Sequence, residues 1–230
     1  MKDENIVVVI PAYNEAEAID KVVNEIPKFV NRIIVVDNNS SDATASIAER
    51  AGAQVLIESQ RGYGYACLRA LKFVSSLIEK PDIVVFLDGD YSDYPEEMPK
   101  LVRPILDQDQ DFVLGARVKS LREKGAMTPQ QIFGNALATK LMRWFFKSRF
   151  TDLGPFRAIK YDRLIELEME DKTYGWTVEM QLKVLKKKWN YLEVPVRYKN
   201  RIGVSKVSGT FRGTVMAGVK ILGWIFKYAF

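Results

Sequence analysis

Five short apolar runs, each parted from the next by a helical pattern, constrain this chain more than any other feature. They are "IVVVIP", "RIIVVD", "AQVLIE", "DIVVFLD" and "DFVLGAR". A continuous apolar run of this length, rather than an alternating one, marks a strand covered on both faces. The intervening segments are amphipathic. In "NEAEAIDKVVNEIP", Ile19, Val22, Val23 and Ile26 recur at helical spacing and Pro27 stops the helix. "SSDATASIAERAG" carries polar capping residues at its start and Gly52 at its end. A third helix runs from about Tyr65 to Ile78. A fourth, around Met98 to Leu106, contains two prolines. Buried strands alternating with such helices predict βα units and a mostly parallel sheet in an α/β fold.

The second half is less regular. "TPQQIFGNALATKLMRWFFKS" reads as a long helix with an aromatic end, and "FTDLGPFRAIKYDRL" as a strand or loop followed by a turn. "YGWTVEMQLKVLKKK" is a helix, "NYLEVPVRYKN" a strand and "RIGVSKVSGT" a polar loop. No repeat, low-complexity segment or linker interrupts the chain. Its 230 residues, 47% of them apolar, suffice for one domain with a sizeable core.

Histidine is absent. A Ser-His-Asp triad, a Cys-His dyad and a His-ligated zinc site are therefore excluded. Any metal must rest on oxygen ligands, which favours Mg²⁺ or Mn²⁺. A single cysteine, Cys67, forbids an internal disulfide and fits a reducing compartment. The apolar run before Pro11 is too short for a signal peptide. A net charge of +5 suggests anionic partners such as phosphates, anionic lipid or nucleic acid.

In open parallel α/β sheets, ligands bind beyond the carboxyl ends of the strands. Here those ends read "PAYNE" (Pro11 to Glu15), "DNNSSD" (Asp37 to Asp42), "SQRGYGYA" (Ser59 to Ala66), "DGDYSD" and "GAR", with Arg117. Five polar ends in register suggest one extended site. "RGYGYA" is not a dinucleotide fingerprint, because that pattern follows the first strand and Gly62 and Gly64 follow the third. "DGDYSD" is not an EF-hand loop, since Asp93 and Pro99 stand where glycine and glutamate are required. A phosphatase nucleophile at Asp88 would normally lie on the first strand. Ser92 or Asp93 capping a helix that Pro95 begins explains Asp93 but not Asp88 and Asp90. The remaining alternative is a pair of carboxylates gripping a divalent ion that bridges a sugar-nucleotide diphosphate. The motif alone is weak, and its context decides.

In combination, "VVIPAYNE", "IIVVDNNSSDAT", "RGYGYA", "FLDGDYSDYPE", "FVLGAR", "DLGPFRAI", "GWTVEMQLK" and "RIGVSKVSG" resemble the family 2 glycosyltransferases of the GT-A fold. The chain looks most like the dolichyl-phosphate mannose synthase and polyprenyl-phosphate glycosyltransferase branch. The resemblance implies a single GT-A nucleotide-diphospho-sugar transferase domain over residues 1–210, with a mostly parallel central sheet flanked by helices. It implies an inverting, metal-dependent enzyme that moves a hexose from a UDP-, GDP- or dTDP-hexose to a polyprenyl phosphate. Transfer to a sugar hydroxyl of a growing glycan is the alternative. A non-catalytic nucleotide-sugar-binding protein and a metal-dependent phosphatase stand further off. Nucleic acid is not an implied partner.

Residue by residue, the resemblance implies that Pro11, Ala12, Tyr13 and Glu15 line the nucleotide pocket, with Asp37, Ser41 and Asp42 at the base or ribose. Gln60, Arg61 and Gly62 would approach the nucleotide. Asp88, Gly89 and Asp90 would meet the diphosphate, the two aspartates holding Mg²⁺ or Mn²⁺. Arg117 would face a phosphate. Asp152 and Arg157 would lie near the sugar on the acceptor side. Arg201, Ser205 and Lys206 would close on a phosphate. Two positions depart from the family. Ser92 stands where a further metal-binding glutamine is common. Glu179, followed by Met180, stands where hydroxyl-acceptor enzymes carry an acidic pair. Glu179 is thus either a general base or a glutamate paired with Lys183 four residues on. A phosphate acceptor is already anionic and needs no base.

Residues 211–230 are strongly apolar but interrupted by Lys220 and Lys227. Val215, Val219, Leu222 and Phe226 fall on one side of a helix and the lysines with Gly223 on another. This predicts an amphipathic helix, lying on a membrane surface or docked on the core or a second copy. The expected location is cytoplasmic, with attachment to the cytoplasmic face of a membrane peripheral at most.

Overall fold

The structure, a computed structural model, describes residues 4–203 and 211–230, without the side chains of Phe211, Arg212 and Thr214. Seven strands form one sheet: β1 (Ile6–Ala12), β2 (Arg32–Asp37), β3 (Gln54–Ile57), β4 (Ile83–Phe86), β5 (Phe112–Ala116), β6 (Arg157–Lys160) and β7 (Tyr191–Pro195). Their order is β3-β2-β1-β4-β6-β5-β7. Only β6 is antiparallel, to both β4 and β5. The five apolar runs are thus the five strands expected, and the mostly parallel sheet of a single α/β domain is what forms.

Burial on both faces explains the continuous runs. All seven residues of β1 are buried. Val7 and Val9 face one core with Ile34, Val36, Val84 and Phe86. Ile6, Val8 and Ile10 face the other with Val35, Ile83 and Val85. Each such side chain contributes on the order of 1.5–3 kcal/mol by leaving water. The second face is covered by α1 (Ile19–Asn24), α2 (Thr44–Arg50) and α4 (Pro99–Asp107). The first is covered by α3 (Tyr63–Ser76), α5 (Pro129–Phe146), α6 (Tyr161–Glu166), α7 (Trp176–Lys187) and α8 (Phe211–Ala229).

Three points change or narrow the expectations. The first helix is shorter than its pattern, because the segment before it is laced to the β2–α2 turn. The amides of Asn14, Glu15 and Ala16 donate to Ser40 Oγ, Thr44 Oγ1 and Asp42 Oδ2. Asp93 caps no helix: Tyr94 precedes the short 3-10 turn at Pro95–Glu97, and no side chain caps it. The C-terminal helix docks on the body through Trp224 and Ile225 in the first core, alongside α5 and α7. Its other apolar side, with Val215, Val219 and Phe226, faces solvent. No described helix is long and apolar enough to cross a membrane.

Candidate active site

The carboxyl ends of β1, β2, β3 and β4 open into one cleft of ≈ 320 Å³, lined by Pro11, Ala12, Tyr13, Glu15, Asn38, Arg61, Gly62, Tyr63, Asp88, Gly89, Asp90, Thr173, Tyr174 and Arg201. Most of the residues expected on the donor side are therefore brought together. Tyr13 and Arg61 stack, with the guanidinium carbon 4.8 Å from the ring centroid. Asp37, Asp42 and Gln60 do not line the cleft. Asp42, just before α2, instead accepts from the Thr44 amide at 3.0 Å. Gln60 offers its backbone carbonyl to Asn38 Nδ2 at 2.6 Å. Asp37 accepts the Ser40 amide on Oδ2, while its Oδ1 is buried without a partner.

Asn38, beside Asp37, lines the cleft instead. Its amide bonds the Ala12 carbonyl, its Nδ2 reaches the Glu58 and Gln60 carbonyls, and its Oδ1 accepts the Gly62 amide. One residue, through its backbone amide and its side chain, thus ties the ends of β1, β2 and β3 together. Thr173 and Tyr174 were also missed, since they come from a loop about a hundred residues downstream of the first glycines it meets. That loop explains "RGYG". A Cβ on Gly62 would lie 2.2 Å from the Lys172 carbonyl oxygen, and one on Gly64 would lie 1.9 Å from that of Asp171. The Gly64 and Tyr65 amides donate to the Thr173 and Lys172 carbonyls. The Gly64 and Tyr65 amides of the first turn of α3 are thus spent on protein, not on a phosphate.

Asp88 and Asp90 meet at the centre. Asp90 Oδ1 accepts from the Ser92 amide at 2.9 Å, and Oδ2 lies 3.0 Å from Arg201. Arg201 also bonds Glu15 at 2.8 Å. Asp88 takes the Tyr63 hydroxyl, yet its Oδ1 is buried without a partner. Burial and then the charge of Asp90 push the Asp88 carboxyl up to about 7, against the pull of Arg201, Tyr63 and Arg117. Asp93 is buried below with both oxygens unpartnered, and burial, then Asp88 and Asp90, hold it well above the usual carboxylate range.

A crowded carboxylate pair with one orphaned oxygen, on Asp88, fits a hard divalent cation. Among the described residues, no three acidic, histidine or cysteine side chains cluster tightly enough to hold a metal alone. Ligands for Mg²⁺ or Mn²⁺ beyond Asp88 and Asp90 would then come from diphosphate and water, a usual arrangement for such ions.

A second groove, ≈ 590 Å³, opens beside the end of β5. Arg117, Lys119, Arg122, Lys140 and Arg143 line it. Asp152 is the acidic side chain lining it among the described residues, and it is clamped by Arg117 at 2.8 and 2.7 Å. Burial raises the Asp152 carboxyl, but Arg117 more than offsets this, leaving it below the usual range.

Two more expected site residues sit elsewhere. Arg157 is 1% exposed and donates to the Thr177 and Gly154 carbonyls, so it braces the core under the site instead of meeting an acceptor. Glu179 is fully buried and does not line the cleft. Its oxygens accept the Glu170 and Asp171 amides at 2.8 Å each, and Lys183 pairs with it at 2.8 Å. Of the two roles open to Glu179, the geometry gives the pairing with Lys183, inside the protein. Ser205 and Lys206 lie outside the described residues.

Residues 7–167 match the model of Glycosyl transferase family 2. An uncharacterized glycosyltransferase of Mycobacterium tuberculosis is 34% identical over 222 residues, 94% of this chain and 96% of that protein. A dolichyl-phosphate hexose transferase of Haloferax volcanii is 29% identical over 227 residues, 95% of this chain and 93% of that protein. Glucosyl-3-phosphoglycerate synthase of M. tuberculosis, solved with Mn²⁺, uridine diphosphate and phosphoglyceric acid, superposes with a TM-score of 0.78 at 21% identity, over 99% of this chain and 79% of that one. The strand-end cleft, the paired aspartates and these matches identify the chain as a GT-A-fold glycosyltransferase that belongs to glycosyl transferase family 2.

Proposed function

We propose that this enzyme moves a hexose from a nucleotide-sugar to a polyprenyl phosphate with inversion at the anomeric carbon. The observation that carries this is the basic groove. Five cationic side chains line it beside the carboxylate pair, and its one described carboxylate is neutralised by Arg117. Such a groove suits an anionic acceptor. The likeness to a dolichyl-phosphate hexose transferase supports a lipid phosphate as that acceptor.

The chain's own residues divide the work. Tyr13, Arg61 and Asn38 border the space for the nucleoside. Asp88 and Asp90 would hold Mg²⁺ or Mn²⁺, which would supply charge neutralisation for the departing nucleoside diphosphate. Arg201, released from Asp90 and Glu15, is placed to meet the diphosphate. Arg117 is paired with Asp152 at the groove's edge, and Lys119, Arg122, Lys140 and Arg143 present their charge to the acceptor phosphate. A phosphate monoester is anionic near pH 7 and attacks without surrendering a proton. The burial of Glu179 is consistent with a reaction that needs no base.

The test incubates the protein with Mg²⁺ or Mn²⁺, UDP-, GDP- and dTDP-hexoses and short polyprenyl phosphates, and weighs the products. A hexosyl lipid phosphate is expected, with Asp90→Asn abolishing metal-dependent release of nucleoside diphosphate. Product only on a glycan hydroxyl overturns the acceptor, and an unchanged Asp90→Asn rate overturns the metal role.

A further inference from the structure

Nine of the thirteen exposed large apolar side chains among the described residues lie on α5 and α8 or at the residue that follows α8. The two helices pack side by side. Phe145 joins them, edge-on to Phe226 at 5.9 Å and to Phe230 at 5.7 Å. At 3.6 residues per turn, Val215, Val219, Phe226 and Phe230 share about 60° of the α8 surface. Phe133, Leu137 and Trp144 share a still narrower arc of α5. Trp144 is 78% exposed and Phe133 70%. Isolated exposed apolar residues are ordinary, but a contiguous patch marks an interaction surface.

Charge decides the partner. Neither helix contains an aspartate or glutamate, although the chain has 29 of them. Lys140 and Arg143 border the patch on α5, while Lys220 and Lys227 lie on another side of α8, paired with Asp171 and Glu170 of the body. A second copy would bring the α5 cations against their own kind, and lysine is depleted at the cores of protein interfaces. Aromatic and aliphatic groups rimmed by basic ones match the headgroup boundary of an anionic bilayer.

We infer that α5 and α8 together form a membrane-docking face that lies in the surface of an anionic lipid bilayer. The face adjoins the basic groove, because Lys140 and Arg143 line that groove from α5. Docked this way, the enzyme meets an acceptor phosphate at the height of the headgroups. The inference deepens the lipid-phosphate reading and rests on it for its purpose.

The test mixes the full chain with neutral phosphatidylcholine vesicles and with vesicles containing phosphatidylglycerol, then separates them by flotation. Binding to the anionic vesicles is expected, weakening as salt rises. The other three tryptophans are less exposed than Trp144, so a blue shift of emission that Trp144→Phe removes would place that residue in lipid. Phe133→Ser combined with Val219→Ser, both at exposed positions, should lower vesicle partitioning at least tenfold while the melting temperature holds. No anionic preference, or a dimer that hides Trp144 and ignores vesicles, overturns the inference. Transfer to a detergent-dispersed polyprenyl phosphate without vesicle binding would sink the docking face alone. Vesicle binding without a lipid product would sink the acceptor alone.

Discussion

Replacing Glu179 with alanine strips one buried carboxylate from two backbone amides and an ammonium, all at 2.8 Å. A hydrogen bond to a charged group is worth about 1.5–3 kcal/mol. Removing one partner of a buried ion pair costs about 3–5 kcal/mol. These losses share one carboxylate and do not add. Lys183 also keeps the Glu168 carbonyl at 2.6 Å, which puts the expected loss at the low end, about 3 kcal/mol. In a domain of this size that lowers Tm by about 6–12 °C. Glu179→Gln keeps the shape and should lose less. The assay measures melting by circular dichroism and, at a temperature where both variants are folded, the rate of nucleoside diphosphate release. The expected result is a clear fall in Tm with a Glu179→Gln rate within a few-fold of the parent. A Glu179→Gln protein with unchanged Tm and a rate lowered by about 10²–10⁴ would refute the reasoning and make Glu179 the base.

Asp152→Asn leaves the Arg117 guanidinium buried without its counter-charge, at a cost of about 3–5 kcal/mol in denaturant unfolding. The parent should show a pH signature too. The Asp152 carboxyl is depressed in the fold, so its stabilisation is full above the ordinary carboxylate range and is lost as pH falls through the folded value. Parallel Tm curves for parent and variant between pH 5 and 3 would contradict this. Gly64→Ala puts a methyl 1.9 Å from the Asp171 carbonyl oxygen, so the 171–174 wall must move. Weaker donor binding by calorimetry is expected, with about 1–3 kcal/mol lost from stability; unaltered affinity and Tm would show the wall to be free of α3.

The strands were legible because burial on both faces leaves a continuous apolar run, and the strand ends followed from them. Asp88 and Asp90 were legible because two carboxylates one residue apart at a strand end repel unless something joins them. What sequence did not reveal depends on distant chain. Arg157 reads as an acceptor-side cation until Thr177 and Gly154 are seen to take its donors. Glu179 reads as a surface pair with Lys183 until the 170–171 backbone covers it. Asn38 hides behind the more conspicuous Asp37, and its only signal is a side chain able both to donate and to accept at a strand end. The α8 pattern was visible, but its apolar side faces outward, because Trp224 and Ile225 occupy the docking side instead.

Asp171 gives α8 a bearing on the donor cleft. Its Oδ1 accepts the Thr173 and Gly175 amides at 2.7 and 2.9 Å, shaping the loop whose Thr173 and Tyr174 wall the cleft. Its Oδ2 accepts Trp224 Nε1 at 2.7 Å and pairs with Lys220 at 3.2 Å. An expression boundary drawn before residue 211 would therefore do more than trim a tail. It would strip the indole and the ammonium from a fully buried carboxylate and slacken the cleft's inner wall. A shortened protein that binds nucleotide poorly would be reporting a lost strut, not a lost binding residue.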